Sequence, residues 1–281
     1  MFSKLRLTRG KIAFAKILYK LIVPFFGKKP RRIKRGGINY EVDLSEGIDL
    51  PLFLFGGFQN HVTKNKLLPI PADALILDVG GNFGVMSLQF AKTAFKGRVI
   101  AFEPTHYAIS KFTKNLRLNP ELAKRIEIIN SFVSASTNQN ADIKAFSSWK
   151  VSGEKEKSEI HPVHLGTSKP TEGVGSVTLN DFCKQASLAR IDLIKIDTDG
   201  HEYEVLQGAK ECIMRFRPKI IFEVGQYVMK EKKIDFNFYV NYFSGLNYKL
   251  FDAETGKEIT AANQLKIIPE LGTIDVLAIP F

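Results

Sequence analysis

The chain has 281 residues, a length that fits one large domain or one domain with an appendage, and its formal net charge is +11. Its 44% hydrophobic and 25% charged side chains are typical of a globular protein and exclude a disordered, collagen-like or disulfide-scaffold chain. The two cysteines, Cys183 and Cys212, are too few and too far apart in sequence for a disulfide framework or a metal motif, so we expect a reducing, cytoplasmic setting.

The positive charge lies almost entirely at the N-terminus. Residues 1–36 carry 12 of the 40 basic side chains and none of the 29 acidic ones, so the rest of the chain has 28 basic against 29 acidic side chains. Because this body is nearly neutral, it lacks the basic surface that binds nucleic acid. We therefore expect no nucleic-acid partner.

Residues 1–36 form a basic amphipathic segment, in which a helix is predicted to end or kink at Pro24. Its apolar face comprises Phe14, Ile17, Leu18, Leu21, Ile22 and Phe25. The basic run Lys28–Arg35 follows. Lys16 and Lys20 interrupt the apolar stretch, so it is too short to span a bilayer. Two hypotheses stay open. The helix lies on the anionic surface of the inner face of a membrane, or it docks on the protein's own body.

A lead-in segment covers residues 37–70, and residues 71–281 alternate short apolar strands with helical patterns. Strands are predicted at Leu75–Val79, Arg98–Phe102, Ile126–Asn130, Ile191–Ile196, Lys219–Val224, Tyr248–Phe251 and Thr273–Ala278. Helices are predicted at Phe83–Ala94, His106–Leu118, Glu202–Phe216 and Phe236–Phe243. This alternation predicts an α/β fold with a doubly wound, mostly parallel sheet. The long polar segment 146–175 is expected to be a substrate loop.

A glycine-rich turn follows the first of these strands, in the sequence Asp78-Val79-Gly80-Gly81-Asn82-Phe83-Gly84. Glycines let a ligand approach the backbone at the start of a helix. Glu103 ends the next strand about 20 residues later, where an acid typically accepts hydrogen bonds from ribose hydroxyls. The pair predicts a nucleoside-containing cofactor. A dinucleotide fingerprint would need glycine where Asn82 and Val85 stand, so that cofactor class is excluded.

Five stretches of the chain resemble the FkbM-type methyltransferases. The glycine-rich turn at Asp78–Gly84 also resembles motif I of the class I S-adenosylmethionine-dependent methyltransferases, the superfamily to which the FkbM-type enzymes belong. The stretches are Leu77–Gly84, Phe102–Pro104, Val177–Phe182, Ile191–Ala209 and Pro218–Val224, within residues 55–250. The resemblance implies a Rossmann-like sheet with an antiparallel C-terminal strand, and S-adenosylmethionine-dependent O-methylation of hydroxyls on sugars, glycans or polyketides. Gly81 and Asp199 depart from the family's usual alanine and glutamate, and Asp199 has the shorter reach.

Methyl transfer to a hydroxyl requires a general base beside the acceptor, and three residues after the fourth strand are candidates: Asp197, Asp199 and His201. His201 is favoured because a helix N-terminus disfavours the imidazolium form and keeps the ring able to accept a proton. Alternatively, Asp197 or Asp199 caps the helix and His201 is a surface residue. Glu202 is expected to start the helix or hold the loop.

Several further assignments stay open. Asp197, Asp199 and Glu223 have the oxygen ligands of a magnesium site, but the resemblance is not to metal-dependent families, so no metal is expected. His161 and His164 are expected to contact substrate or solvent. Adenine is expected near Ser131 and Phe132, although Phe132 also fits the core. The rival functions are N- or C-methylation and a non-catalytic module that binds the cofactor, and the acceptor itself is not encoded in these motifs.

Overall fold

An eight-stranded sheet lies at the centre of the computed structural model, which describes residues 8–138, 145–147, 151, 167–169 and 171–281. The strands in chain order are β1 (Arg31–Arg35), β2 (Ile38–Val42), β3 (Leu75–Val79), β4 (Arg98–Phe102), β5 (Ile126–Ile129), β6 (Phe132–Val133), β7 (Ala145–Ser147), β8 (Thr167–Lys169), β9 (Ser176–Val177), β10 (Leu193–Ile196), β11 (Lys219–Gly225), β12 (Tyr248–Asp252), β13 (Glu258–Ile259) and β14 (Thr273–Pro280). The helices are α1 (Thr8–Phe26), α2 (Asp49–Phe55), α3 (Asn60–Thr63), α4 (Val85–Thr93), α5 (His106–Arg117), α6 (Pro120–Ala123), α7 (Leu179–Gln185), α8 (Glu202–Gln207), α9 (Lys210–Phe216), α10 (Gln226–Glu231), α11 (Phe236–Ser244) and α12 (Gln264–Ile267).

The strand order of the central sheet is β13-β12-β14-β11-β10-β3-β4-β5. Neighbours from β11 to β5 pair in parallel, whereas β14 runs antiparallel to both β11 and β12. The prediction of a mostly parallel, doubly wound α/β sheet with an antiparallel C-terminal strand is therefore confirmed. β4 and β5 lie on one side of β3, whereas β10 and β11, which come later in the chain, lie on the other side. Sheets of this kind bind their ligands in the crevice at the point where the strand order changes direction, here between β3 and β10.

The central strands are nearly continuously apolar because both faces of the sheet are covered. Successive side chains point to opposite faces. Leu77 and Ile194 belong to one buried hydrophobic cluster, while their neighbours Ile76 and Leu193 belong to another on the other face. This two-sided burial produced the strand pattern that sequence alone could identify.

The predicted helix over Glu202–Phe216 is in fact two helices, and this part of the prediction is wrong. The chain breaks between α8 and α9 at Gly208, where a Cβ atom would lie 2.1 Å from the carbonyl oxygen of Ser134. Only glycine permits that close approach, and glycine is also a weak helix former. The break fixes the short helix α8 directly after the turn that leaves β10.

The basic run after α1 forms a β-hairpin that sequence analysis missed. β1 pairs antiparallel with β2 through Gly36 and Gly37, whose φ angles are 54° and 79°. A two-residue hairpin loop favours positive φ at both positions, which glycine adopts without strain. The hairpin crosses the boundary expected at residue 36 between the N-terminal segment and the lead-in segment.

Helix α1 continues through Pro24 and ends at Phe26, two residues later than the predicted break or kink. Gly27 follows with a φ of 70°, and its N–H donates to the carbonyl of Val23 at 2.7 Å. A left-handed glycine of this kind is a common helix terminator. In the described parts of the chain, no helix is both long and apolar enough to cross a membrane.

Cys183 and Cys212 are distant in sequence but close in space. Both thiols are buried and free, on α7 and α9, and their interaction lowers the pKa of Cys183 and raises that of Cys212. The pair belongs to the main hydrophobic cluster. Their spacing in sequence was therefore no guide to their separation in the fold.

Candidate functional site

The carboxyl ends of β3, β4 and β10 open into one crevice with an empty volume of about 650 Å³. The sequence-predicted residues that line it are Gly80, Asn82, Glu103, Ser131, Phe132, Asp197, Asp199 and His201. Asp78, Gly81 and Gly84 do not line it, and each has a supporting contact instead.

The glycine turn brings the end of β3 against the end of β10. Gly80 has a φ of 82°, and a Cβ atom there would lie 1.8 Å from the carbonyl oxygen of Asp197. Gly84 has a φ of 78°, and its Cβ would lie 2.1 Å from the ring of Phe112. At Gly81 a Cβ would lie 3.2 Å from Ala101. Gly80 therefore shapes the crevice wall, while Gly81 and Gly84 allow the turn to pack on its neighbours.

A buried lysine that sequence analysis missed links β3 and β10 below this turn. The Nζ of Lys195 lies 3.4 Å from Asp78 Oδ1 and 3.3 Å from Asp197 Oδ2. The hydroxyl of Ser87 also donates to Asp78 Oδ2. Burial raises the pKa of Asp78. Burial alone would lower the pKa of Lys195, but the charges of Asp197 and Asp78 raise it above its ordinary value. The only sequence signal was a lysine inside an apolar strand.

Gln59 is a second site residue that sequence analysis missed. Its Nε2 donates to Asp197 Oδ2 at 3.1 Å, while its buried Oε1 has no hydrogen-bond partner among the described residues. The Gln59 backbone is left-handed, with a φ of 46°, and such strain in a residue other than glycine is frequent at functional sites. This contact spans 138 residues of chain, and Gly56-Gly57 nearby was the only local signal. Gln59 and Lys195 together hold one oxygen of Asp197.

Glu103 is buried at the end of β4, with both carboxylate oxygens facing N–H or O–H donors. Oε1 accepts from the N–H and the hydroxyl of Thr105 at 2.9 and 2.6 Å, and Oε2 accepts from the N–H of Asn82 at 2.9 Å. Burial raises its pKa. A carboxylate has about four acceptor positions. Glu103 therefore ties the glycine turn to the start of α5 and keeps capacity for about one more donor.

Ser131 and Phe132 lie where the chain leaves β5. The Ser131 hydroxyl donates to the carbonyls of Phe132 and Gly175, at 2.9 and 3.0 Å. Phe132 begins β6, which pairs in parallel with β9, and its side chain is buried. Phe132 is therefore both a core residue and part of the crevice wall.

The backbone after β10 is left-handed at two successive residues. Asp199 has a φ of 53° and Gly200 a φ of 108°. The side chain of Asp199 is exposed on the crevice side. Desolvation by the surrounding protein is the main cause that raises its pKa well above the ordinary value, and the charges of Asp197 and Glu202 raise it further. The hypothesis that Asp197 or Asp199 caps α8 is wrong, because His201 occupies the cap position and no side chain there accepts a capping bond.

Glu202 holds this loop. Its Oε1 accepts from the N–H of Thr198 at 2.8 Å, from the Thr198 hydroxyl at 3.0 Å and from the N–H of Gly200 at 3.4 Å. Glu202 was expected either to start the helix or to hold the loop. These hydrogen bonds close the turn before α8, so Glu202 holds the loop. The carboxylate is buried, and burial raises its pKa.

His201 is coupled to an ion pair on its outer side. Its Nδ1 lies 3.2 Å from the Nζ of Lys232 and 3.8 Å from Glu204 Oε1, and Lys232 donates to Glu204 at 2.6 Å. An ammonium group only donates, so Nδ1 accepts in this arrangement and the proton of a neutral ring is on Nε2. Burial alone would raise the pKa of Glu204, but the neighbouring His201 ring and the Lys232 ammonium lower the pKa to about 2.

Glu223, which the sequence offered as an oxygen ligand of a magnesium site, does not line the crevice. Its Oε1 accepts from the Thr273 hydroxyl at 2.6 Å, and burial raises its pKa well above the ordinary value. Among the described residues, no cluster of three or more His, Cys, Asp or Glu side chains is arranged to hold a metal ion.

The expected substrate loop, 146–175, is described only in part, and His161 and His164 lie outside the described residues. β7 and β8 pair as antiparallel strands, and Ala145 of β7 lines the crevice. The N–H of Val151 donates to the carbonyl of Ser45 at 2.7 Å. Val151 of this segment therefore contacts the lead-in segment, and Ala145, which directly precedes the segment, lines the crevice.

Comparison with known proteins finds a family match and distant relatives. The Methyltransferase FkbM domain model matches residues 78–250, more than half of the chain. The 2-O-methyltransferase NoeI of Sinorhizobium fredii is 27% identical over 185 residues, 62% of this chain and 72% of that protein. Methyltransferase 1 of Beauveria bassiana is 26% identical over 149 residues, and the match spans 50% of this chain and 60% of the length of that protein. The crystal structure of Methyltransferase FkbM from Methylobacillus flagellatus KT aligns at 16% identity with a TM-score of 0.46, covering 74% of this chain and 44% of that one.

Proposed function

The chain belongs to the FkbM methyltransferase family, and on that premise we propose that it is an S-adenosylmethionine-dependent O-methyltransferase. Its acceptor is a hydroxyl of a sugar, a glycan or a related metabolite. The observation that carries the proposal is one crevice whose wall contains the glycine turn, Glu103 and the segment from Asp197 to His201. The name of the relative NoeI, a 2-O-methyltransferase, supports oxygen as the methylated atom.

The residues of the crevice fit the cofactor by their donors and acceptors. Gly80 leaves the backbone open to close approach, and the remaining acceptor position of Glu103 suits one ribose hydroxyl. Asn82 adds a buried Oδ1 that has no partner among the described residues, which suits an ammonium donor. Ser131 and Phe132 offer a polar edge and an apolar face for adenine. S-adenosylmethionine, when bound, supplies an electrophilic methyl group.

The chain itself must hold the acceptor oxygen in line and take its proton. Correct positioning alone contributes several kcal/mol, about 7–11 in the best-oriented cases. His201 is the favoured base and Asp199 the second candidate, since both line the crevice. Asp197 is the least suited, because the Lys195 ammonium and the Gln59 amide already bind its Oδ2.

His201 requires one particular proton arrangement to act as this base. While Lys232 donates to Nδ1, the free ring nitrogen Nε2 carries a proton and cannot accept another. If Lys232 instead binds only Glu204, Nδ1 can carry the proton and Nε2 can accept one. Glu204, 3.8 Å from Nδ1, is the carboxylate placed to support that second tautomer.

The setting of the reaction follows from the same features. We propose a cytoplasmic enzyme with a small-molecule or glycan acceptor and no nucleic-acid partner, because the body outside residues 1–36 is nearly neutral and both cysteines are free thiols.

Transfer of a labelled methyl group tests the proposal. The purified protein is incubated with methyl-labelled S-adenosylmethionine and fractionated glycans, and the bond that carries the label is identified by mass spectrometry. The expected product is a methyl ether. Label on nitrogen or carbon would indicate the rival reactions, and cofactor binding without transfer to any fraction would indicate a non-catalytic module.

A further inference from the structure

Helix α1 has two apolar faces, and only one of them is covered by the protein. Ala15 and Tyr19 are buried in the cluster that also contains Tyr40 of β2. On the opposite face, the exposed fractions are 57% for Ile17, 61% for Leu21 and 85% for Phe25. These three residues recur every fourth position, so they form one stripe along the outside of the helix. The helix therefore docks on the body and still presents an apolar surface.

Cationic side chains flank the outer stripe. On a helix at 3.6 residues per turn, Lys20 lies beside Ile17 at one edge of the stripe, and Lys20 is exposed. Lys29, Arg32 and Lys34 follow the end of the helix and are also exposed. Residues 1–36 contain no acidic side chain. Residues 1–36 thus expose apolar and positively charged side chains and contain no negative charge of their own.

Two other arginines of the same run serve the fold and are not part of this surface. Arg31 donates to the carbonyls of Phe26 and Gly27, and Arg35 donates to the carbonyl of Phe53. In β1, alternate residues face opposite sides, so Arg32 and Lys34 point away from the side on which Arg31 and Arg35 make these contacts. The structure therefore divides the basic run into inward and outward cations.

We propose that the outer face of α1 docks on an anionic lipid membrane, with the helix lying in the plane of the interface. Ile17, Leu21 and Phe25 enter the boundary between headgroups and acyl chains, as the apolar side of an interfacial helix does. The exposed cations Lys20, Lys29, Arg32 and Lys34 bind the anionic headgroups. The long lysine stem of Lys20 lets its charge reach the headgroups while the apolar stripe is inserted.

Charge complementarity favours a membrane over a second copy of the chain. A symmetric contact between two α1 stripes would bring the same cations of each copy together, with no acidic residue in residues 1–36 to compensate. Three apolar side chains also form a patch much smaller than the roughly 800 Å² per partner of a stable interface. An anionic membrane neutralises the cations and accepts the stripe at the same time.

Flotation of the full-length chain with vesicles tests this docking. The vesicles are phosphatidylcholine alone, or phosphatidylcholine with about one third phosphatidylserine, an anionic lipid of cytoplasmic leaflets. The wild-type chain should bind the anionic vesicles, and raising the salt concentration should weaken the binding. The combined variant Ile17→Ser, Leu21→Ser and Phe25→Ser should reduce the bound fraction about tenfold or more.

Two further variants make the test specific. The combined variant Lys20→Gln, Lys29→Gln, Arg32→Gln and Lys34→Gln should lose anionic binding as well. The matched control Phe95→Ser, Met214→Ser and Leu265→Ser changes three exposed apolar residues elsewhere and should bind like the wild type. Unchanged thermal unfolding of each variant would verify that the body is intact, since all these positions are exposed.

Three results would overturn the proposal. They are no binding of the wild type to anionic vesicles, equal binding of the Ile17, Leu21 and Phe25 variant, or a wild-type dimer in light scattering that this variant converts to a monomer. The last result would assign the stripe to a second copy of the chain. None of these outcomes depends on methyl transfer, so the proposed function is tested separately.

Discussion

Lys232 donates to Nδ1 of His201 at 3.2 Å and to Glu204 at 2.6 Å, so the favoured base shares its lysine with a carboxylate. His201 lines the crevice at the cap position of α8, while Lys232 follows α10. The tautomer of His201 is therefore linked to a pair of charges outside the crevice.

The first prediction concerns His201 itself. His201→Ala should lower kcat about 10²–10⁴-fold, the usual contribution of a general base, while the affinity for S-adenosylmethionine changes little. The acidic limb of the pH–rate profile should disappear with the imidazole. An acidic limb that persists in His201→Ala but disappears in Asp199→Asn would assign the base to Asp199.

The second prediction concerns Glu204, whose pKa of about 2 in the folded protein is lower than the ordinary value of 4.5 for a glutamate. A depressed carboxylate pKa stabilises the fold above the unfolded-state pKa, and this stability is lost as the pH falls towards the folded-state value. Glu204→Gln should lower the free energy of unfolding at pH 7 by about 1–2 kcal/mol, discounted because the side chain is partly exposed. The difference from wild type should shrink between pH 5 and pH 2, as measured by urea unfolding.

An exposed ion pair serves as the matched control for Glu204. Glu270 pairs with Lys230 at 3.4 Å, and both side chains are exposed. Glu270→Gln should change the free energy of unfolding by less than about 1 kcal/mol at any pH in this range. An equally small effect of Glu204→Gln would contradict the role of its two partners.

The third prediction concerns Lys195, whose ammonium lies between Asp78 and Asp197. Lys195→Met leaves two carboxylates without their buried counter-charge and should cost about 3–5 kcal/mol in the free energy of unfolding. Adding Asp78→Asn should recover part of this loss, because it removes one uncompensated charge. Strictly additive losses in the double variant, measured by urea unfolding, would show that the two residues are not coupled.

The fourth prediction concerns Gln59, which lies outside the residues that match the family model. Gln59→Ala removes one hydrogen bond to the Asp197 carboxylate, worth about 1.5–3 kcal/mol, and should lower kcat/KM about 10–100-fold. The neighbouring Asn60→Ala is the matched control, since Asn60 is exposed, and its rate should stay close to that of the wild type. Equal rates for Gln59→Ala and wild type would remove Gln59 from the site.

The sheet and the crevice could be predicted from the sequence because their signals are local. Strands such as Leu75–Val79 are buried on both faces and are therefore continuously apolar. The glycine turn and Glu103 are short motifs at fixed positions relative to those strands. Both kinds of signal lie within a few residues of the feature that they identify.

The missed parts of the site depend on contacts between distant residues. Gln59 meets Asp197 across 138 residues, and Lys232 meets His201 across 31, so no local pattern announced either pair. The hairpin of β1 and β2 did have a local signal, the Gly36-Gly37 loop, but the charge of Lys28–Arg35 concealed the alternation of a strand.

Calorimetric titration of the chain with S-adenosylmethionine tests the central claim, which is that the crevice beside Glu103 binds this cofactor. The wild type should bind, and Glu103→Ala should weaken binding about 5–150-fold, equivalent to about 1–3 kcal/mol for a lost buried acceptor. Glu127→Ala, which changes an exposed acid on the neighbouring strand β5, should leave the affinity unchanged. No binding to the wild type, or equal affinities for wild type and Glu103→Ala, would contradict the claim.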